Sequence, residues 1–178
     1  MTGTEEKKGR TTTAGETPSA PIRLRPARDS DVGALVPLLL RLKRLNEEFD
    51  PLLKVREDAE AQARQILKAD IANPKAVVLA AEGSGADRDK LVGFVRAQVR
   101  ERPFYAPEQE GVILDIYLLP IYRRRGVGEF VLGEVANALK AKGAGVVTAE
   151  FPAQNEIAAR FYSKRGFRPI TAVQARSL

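Results

Sequence analysis

Residues Arg123 to Gly128, in the order Arg-Arg-Arg-Gly-Val-Gly, put three guanidinium groups on a glycine-bearing turn. The turn follows an apolar run from Val112 to Leu119 and precedes Phe130, Val131, Leu132, Val135, Ala136 and Leu139 at helical spacing. A strand feeding a helix through such a turn aims backbone N–H groups and the positive helix end at one point, which suits a phosphate. Gly126 and Gly128 let a bulky anion approach the main chain, because no Cβ stands in the way. Position 131 is Val, so the third glycine of a dinucleotide fingerprint is missing, and no Gly-Lys-Ser/Thr follows to make a Walker loop. Within the apolar run Asp115 is an isolated charge. It must face a cleft or a partner, and a buried ion pair with an arginine such as Arg96 is the structural alternative. Period-two alternation puts Tyr117 on the same side of the strand as Asp115.

Cysteine and histidine are both absent. Thiolate nucleophiles, disulfides, His-based triads and Cys or His metal sites are thereby excluded, and no metal is expected. Proton transfer falls to carboxylates, tyrosine, lysine or water. Read alone, Tyr162 is better explained as packing on the last helix.

These residues need elements to hold them. Pro21 to Pro26 alternates as a short edge strand, and Asp29-Ser30-Asp31 supplies N-cap chemistry for a helix through Val32, Leu35, Val36, Leu39 and Leu42. Pro37 should kink that helix or mark a second start. Glu57 to Ile71 reads as a second helix with Ala59, Ala63, Ile66 and Leu67 inward. Ala76 to Ala81 and Leu91 to Val99 read as a hairpin, and Pro103 to Gly111 as a loop over the site. Val112 to Leu119 is a strand buried on both faces, ended by Pro120. The following helix runs to about Lys142, with Gly143 and Gly145 as its stop. Val146 to Phe151 is a fifth strand, Glu156 to Lys164 a last helix, and Phe167 to Val173 a sixth strand. A mixed α+β domain follows from this order.

A chain of 178 residues that is 44% hydrophobic suits one domain with a proper core. Met1 to Ala20 reads as a disordered tail without a signal-peptide apolar stretch, and residues 21–178 as the domain. No apolar run approaches the ~20 residues of a membrane span. With no cysteine, a cytoplasmic setting is expected. The net charge of +6 lies wholly beyond residue 120, where 10 Lys/Arg face 4 Asp/Glu. A positive surface there favours an anionic ligand. The basic residues are not interleaved with aromatics, so neither nucleic acid nor membrane is expected as a partner.

Together these residues resemble the GNAT superfamily of acetyl-CoA-dependent N-acetyltransferases. The Arg123–Gly128 turn is similar to its R/Q-x-x-G-x-G/A pyrophosphate loop. Asn155-Glu156-Ile157-Ala158-Ala159-Arg160-Phe161-Tyr162-Ser163-Lys164-Arg165-Gly166-Phe167 resembles its N-x-x-A-x-x-F/L-Y-x-x-x-G-F segment. The resemblance in element order spans about Ile22 to Val173. It implies a mixed, mostly antiparallel sheet of about six strands with helices on both faces, splayed between strands 4 and 5. It implies acetyl transfer from acetyl-CoA to a primary amine of a small molecule or protein, without a metal. Ile116, Tyr117 and Leu118 would pair with the pantetheine arm. Backbone groups from Arg124, Arg125, Gly126, Val127, Gly128 and Glu129 would hold the pyrophosphate beside Arg123. Glu129 stands where the family has a basic or small residue, so its side chain should point away. Asn155 matches the asparagine that bonds the cofactor arm, and Tyr162 the general acid for the thiolate. Glu150 and Asp115 compete as base, or one binds the amine while the other relays its proton. A non-catalytic acyl-CoA-binding module is the alternative function. Many relatives add a seventh strand, so a homodimer covering the open sheet edge is a further expectation.

Overall fold

A computed structural model describes residues 22–123 and 126–177. The N-terminal tail expected over residues 1–20, and Arg124 and Arg125, lie outside the described residues.

Apolar alternation and helical stripes give nine main elements. They are β1 (Ile22–Pro26), α1 (Val32–Glu47), α2 (Ala59–Ala72), β2 (Ala76–Gly83), β3 (Leu91–Glu101), β4 (Gln109–Leu118), α3 (Val127–Ala141), β5 (Val146–Ala149) and α4 (Glu156–Ser163). The strands form one sheet in the order β1-β2-β3-β4-β5. The first three pairings are antiparallel and β4–β5 is parallel. A parallel pair needs a crossover, and α3 supplies it.

Helices cover both faces. On one, Leu35, Val36 and Leu39 of α1 and Leu67 of α2 pack against Val78, Phe94 and Tyr117. On the other, Val131, Val135 and Leu139 of α3 and Tyr162 of α4 pack against Leu79, Val95 and Ile113. Each buried side chain of this size contributes roughly 1.5–3 kcal/mol, so the two layers fix the sheet between them. Both faces of β4 are buried, which explains its nearly continuous apolar run.

Two irregularities in β4 matter for the site. Arg96 pairs with Asp115, but Ala97 pairs with Ile113, so Leu114 is an extra residue. Such a bulge re-aims the side chains beyond it. Ile113 and Ile116, three apart, therefore both pack towards α3, while Tyr117 packs towards α1. The second irregularity is the short β5 pairing, which covers only Glu110–Ile113 against Val146–Ala149. One more bond follows, from Glu150 N–H to the Ile113 carbonyl at 2.9 Å. β4 then continues to Leu118 with β3 as its one remaining neighbour, and the sheet opens on the β5 side.

Several expectations need correction. The sheet has five strands, not six, among the described residues. Residues 168–177 are irregular and exposed, with Ile170 57% and Val173 89% accessible. Pro169 removes a donor from that segment, and a four-residue β5 offers it little template. β5 itself stops at Ala149 rather than Phe151. Ile66 faces outward at 40% exposure, leaving Ala63 and Leu67 as the buried residues of α2. α1 runs unbroken through Pro37. Asp31 makes no side-chain cap for α1; its carboxylate is held by Arg25 at 2.7 Å. The 102–108 loop enters β4 at its start, whereas the arginine turn leaves from its end. Ten strand residues span about 30 Å, so this loop is far from that turn rather than over it.

Candidate active site

The turn after β4 makes an open anion cradle. Gly126 is the N-cap of α3 at φ +89°, and no side chain caps that helix end. The first helical bond runs from Phe130 N–H to the Gly126 carbonyl at 3.0 Å. The N–H groups of Val127, Gly128 and Glu129 therefore have no acceptor within the helix. A Cβ at Gly126 would meet nothing within 4 Å, so its positive φ, not crowding, is what calls for glycine. Gly128 has a different reason: a Cβ there would lie 2.5 Å from Phe161 Cε2. Its role in this structure is close packing of α3 on α4. The Glu129 carboxylate is ion-paired to Arg165 at 3.0 Å, and the Arg165 guanidinium lies 4.0 Å from the Phe161 ring centre. Arg123 turns back, donating from Nε to the Leu118 carbonyl at 2.8 Å and lying over the Tyr117 ring at 5.3 Å.

The edge of β4 that β5 leaves uncovered beyond Ile113 leads to this cradle, with Arg123 already holding the Leu118 carbonyl at its far end. Main-chain donors and acceptors on such an edge need a partner, and an extended amide-bearing chain pairs like an added strand. A left-handed glycine, an uncapped helix end and a free strand edge in sequence fit a diphosphate with an amide-bearing arm, which is the chemistry of acetyl-CoA.

Tyr162 on α4 packs beside this opening. Its ring stacks on Phe151 with centres 5.3 Å apart and meets Phe161 edge-on and Phe167 tilted, both at 5.1 Å. Burial pushes the phenol up to about 12, and the negative charge of Asp115 adds to the shift. Asn155, at the start of α4, caps the helix through Oδ1, which accepts the Ala158 N–H at 3.0 Å. Its amide nitrogen is the group left for a ligand.

The two candidate carboxylates differ sharply. Asp115 has 1% of its side chain exposed. Oδ1 accepts Lys43 Nζ at 2.5 Å and Oδ2 accepts Arg96 Nε at 2.8 Å. Arg96 also bonds Asp70 at 2.9 Å, so four charges alternate in sign from α1 through the sheet to α2. These opposite charges hold the Arg96 guanidinium above its ordinary range, outweighing the effect of its burial. Glu150, just past β5, is 57% exposed and, among the described residues, is held only by Arg100, at 2.5 Å. Tyr117 lies on the Asp115 side, and its buried hydroxyl has no hydrogen-bond partner among the described residues.

Sequence reasoning missed Lys43, Arg100 and Arg165. For Lys43 a signal existed, since Leu35, Leu39 and Lys43 are spaced by four and share the inward stripe of α1. Arg100 and Arg165 depend on chain pairing that no local pattern carries. Two grooves, of about 590 and 660 Å³, run along α1 and α2. They are lined by such residues as Arg41, Arg64 and Lys68 and share none with β4, β5, α3 or α4. Among the described residues, no group of carboxylates is placed to hold a metal ion, and no helix is long and apolar enough to cross a membrane.

Comparison with known proteins places this geometry. The model of a family described as the acetyltransferase (GNAT) family matches residues 41–167. No curated protein matches. Among solved structures, a predicted acetyltransferase with acetyl-CoA from Clostridium acetobutylicum superposes with a TM-score of 0.71 at 17% identity, over 88% of this chain and 96% of that one. An aminoglycoside N-acetyltransferase in complex with CoA superposes at 0.67 and 16%, covering 88% and 94%. An aminoglycoside antibiotic 6'-N-acetyltransferase from Acinetobacter haemolyticus superposes at 0.66 and 18%, covering 88% and 97%. At these identities the likeness is one of fold.

Proposed function

The chain belongs to the acetyltransferase (GNAT) family, and from that premise we propose that it transfers the acetyl group of acetyl-CoA to a primary amine. The observation that carries this reading is the opening of the sheet: β4 loses β5 at Ile113 and runs on, with β3 alone beside it, to the uncapped end of α3. Bound acetyl-CoA supplies an activated thioester.

The residues divide the remaining work. Val127, Gly128 and Glu129 offer main-chain N–H groups to the diphosphate, with the charges of Arg124 and Arg125 beside them in sequence. Ile116, Tyr117 and Leu118 pair their backbone with the pantetheine arm, and Asn155 adds a side-chain amide. Asp115 seats the ammonium of the acceptor in exchange for Lys43, which otherwise holds Oδ1. With both oxygens already taken by cations, Asp115 is a poor proton acceptor. Glu150, exposed and singly paired, serves as the base through water, since an alkylammonium near pKa ~10 must lose a proton before it attacks. Tyr162 donates to the departing sulfur. A phenol near 12 is a weaker acid than a thiol near ~8.5. Its contribution is therefore a hydrogen bond that steadies the thiolate, with net protonation completed by exchange with solvent.

The test is thiol release from acetyl-CoA with a panel of primary amines, lysine peptides and an aminoglycoside, alongside calorimetric titration of CoA. Turnover with at least one acceptor and a fall in kcat for Tyr162→Phe support the transferase. The ion pairs already made by both carboxylates favour the second reading, an acyl-CoA-binding module. Tight CoA binding with no turnover and no effect of Tyr162→Phe would establish that one instead.

A further inference from the structure

A primary ammonium already sits on Asp115, and it belongs to the chain itself. Lys43 reaches from α1, with 39% of its side chain exposed, to place Nζ 2.5 Å from Oδ1 of a carboxylate that is otherwise buried. Asp115 is two residues beyond the last β4–β5 pair, at the opening, and its charge is felt by the Tyr162 phenol on the other side. The remaining charges facing Lys43 through this cluster are Arg96, fixed on Oδ2, and Asp70, fixed on Arg96. A lysine tail is a primary alkylamine, so whatever seats an acceptor amine here must also seat Lys43.

We infer that Lys43 occupies the acceptor-amine position and is itself acetylated by this protein. The inference rests on the transferase reading above. In the step, the Lys43 ammonium leaves Asp115 and gives one proton to water, its neutral Nζ forms an amide bond to the acetyl carbon, and the thioester C–S bond breaks. The sulfur leaves with the electron pair as thiolate and ends as the free thiol. The nitrogen gives its second proton to water, so the balance needs acetyl-CoA and nothing else. The product is a neutral acetyl-lysine that no longer bonds Asp115 as a cation. Plain anchoring of α1 to the sheet would require no such chemistry.

Two measurements on the full-length protein test this. In the first, wild type and Tyr162→Phe are incubated with acetyl-CoA and followed by intact mass and peptide mapping. Lys43 should be acetylated at least tenfold faster than the exposed lysines Lys54 and Lys140, and that preference should fall in Tyr162→Phe. In the second, Lys43→Ala is heated with ethylammonium or butylammonium chloride, without acetyl-CoA and at constant ionic strength. The alkylammonium should raise the unfolding temperature of the variant and leave wild type unmoved. Lys43 reacting no faster than Lys54 and Lys140, or no rescue of Lys43→Ala by alkylammonium, overturns the inference. Turnover of free amines with Lys43 unmodified overturns it alone. Rescue of Lys43→Ala without thiol release to any amine, Lys43 included, overturns the transferase reading and the modification together.

Discussion

Replacing Asp115 by Asn keeps the volume and removes one charge from a row of four. Removing one partner of a buried ion pair costs about 3–5 kcal/mol when the other charge is stranded. Two features of this cluster reduce that figure. Arg96 keeps Asp70 at 2.9 Å, and Lys43, 39% exposed, regains water when released. The expected cost at pH 7 is then about 2–3 kcal/mol. In urea, with a slope of roughly 2 kcal/mol/M for a domain of this size, the midpoint should drop by about 1 M. A double-mutant cycle with Arg96→Met should show coupling of at least ~1 kcal/mol, since the two side chains share bonds. Kinetics on the folded variant at low temperature separate the roles. A seat for the acceptor predicts a tenfold or greater rise in the amine KM and a smaller change in kcat. A kcat loss of about 10²–10⁴ would make Asp115 the base and displace Glu150. A midpoint shift worth less than ~0.5 kcal/mol, or an additive cycle, would refute the claim that this cluster ties α1 to the sheet.

Three other outcomes are expected. Because the folded state holds the Tyr162 proton more tightly, with its pKa at about 12 rather than 10.0, the associated stability is complete below pH 10 and is lost as pH rises towards 12. Alkaline urea titrations should show a loss of about 2–3 kcal/mol in wild type that Tyr162→Phe largely lacks. Gly126→Ala should cost roughly 1–2 kcal/mol through its left-handed backbone, and Gly126→Asn less. Both should weaken CoA binding in calorimetry, and unchanged affinity in both would remove this turn from the cradle. The Arg25 hydrogen bond holds the Asp31 carboxyl below its usual range, so its stabilisation is present above about pH 4 and disappears as pH falls further. Asp31→Asn should therefore be less stable than wild type at pH 7 by roughly 1–3 kcal/mol, with the gap closing in acid. A gap that persists at pH 2 would assign the effect to something other than this charge.

Much of this architecture can be read locally. The apolar run of β4, the glycine turn and the stripe of α3 each carry their own periodicity, and the loop-to-helix step follows from Gly126 alone. The sixth strand fails because Phe167 to Val173 looks like a strand only until a partner is required. Pro169 and the short β5 deny it one. Asp115 shows the limit from the other side. Its isolation in an apolar run calls for a partner, and Arg96 follows from strand alternation. Lys43, 72 residues away, follows only once α1 is laid on the sheet. The Glu150–Arg100 pair likewise reaches from β5 across β4 to β3, a contact set by register rather than by spacing.

The single extra residue in β4 decides which face of the sheet receives the carboxylate. Ile113 packs towards α3. With strict period-two alternation Asp115 and Tyr117 would follow it there, and a carboxylate would be driven into the cluster of Val131, Val135 and Leu139. An unpaired buried charge of that kind costs several kcal/mol. The bulge at Leu114 turns both residues to the α1 face instead, where Lys43 and Arg96 meet the acid. It leaves Ile116 and Leu118 on the apolar side with Tyr162. The same residue that breaks the ladder thus sorts a side lined by charge from a side lined by aromatic rings. Beyond Ile113, β5 no longer pairs with β4. In the proposed transfer the ammonium and the thioester approach from these two faces, and the register of β4 is what keeps the faces apart.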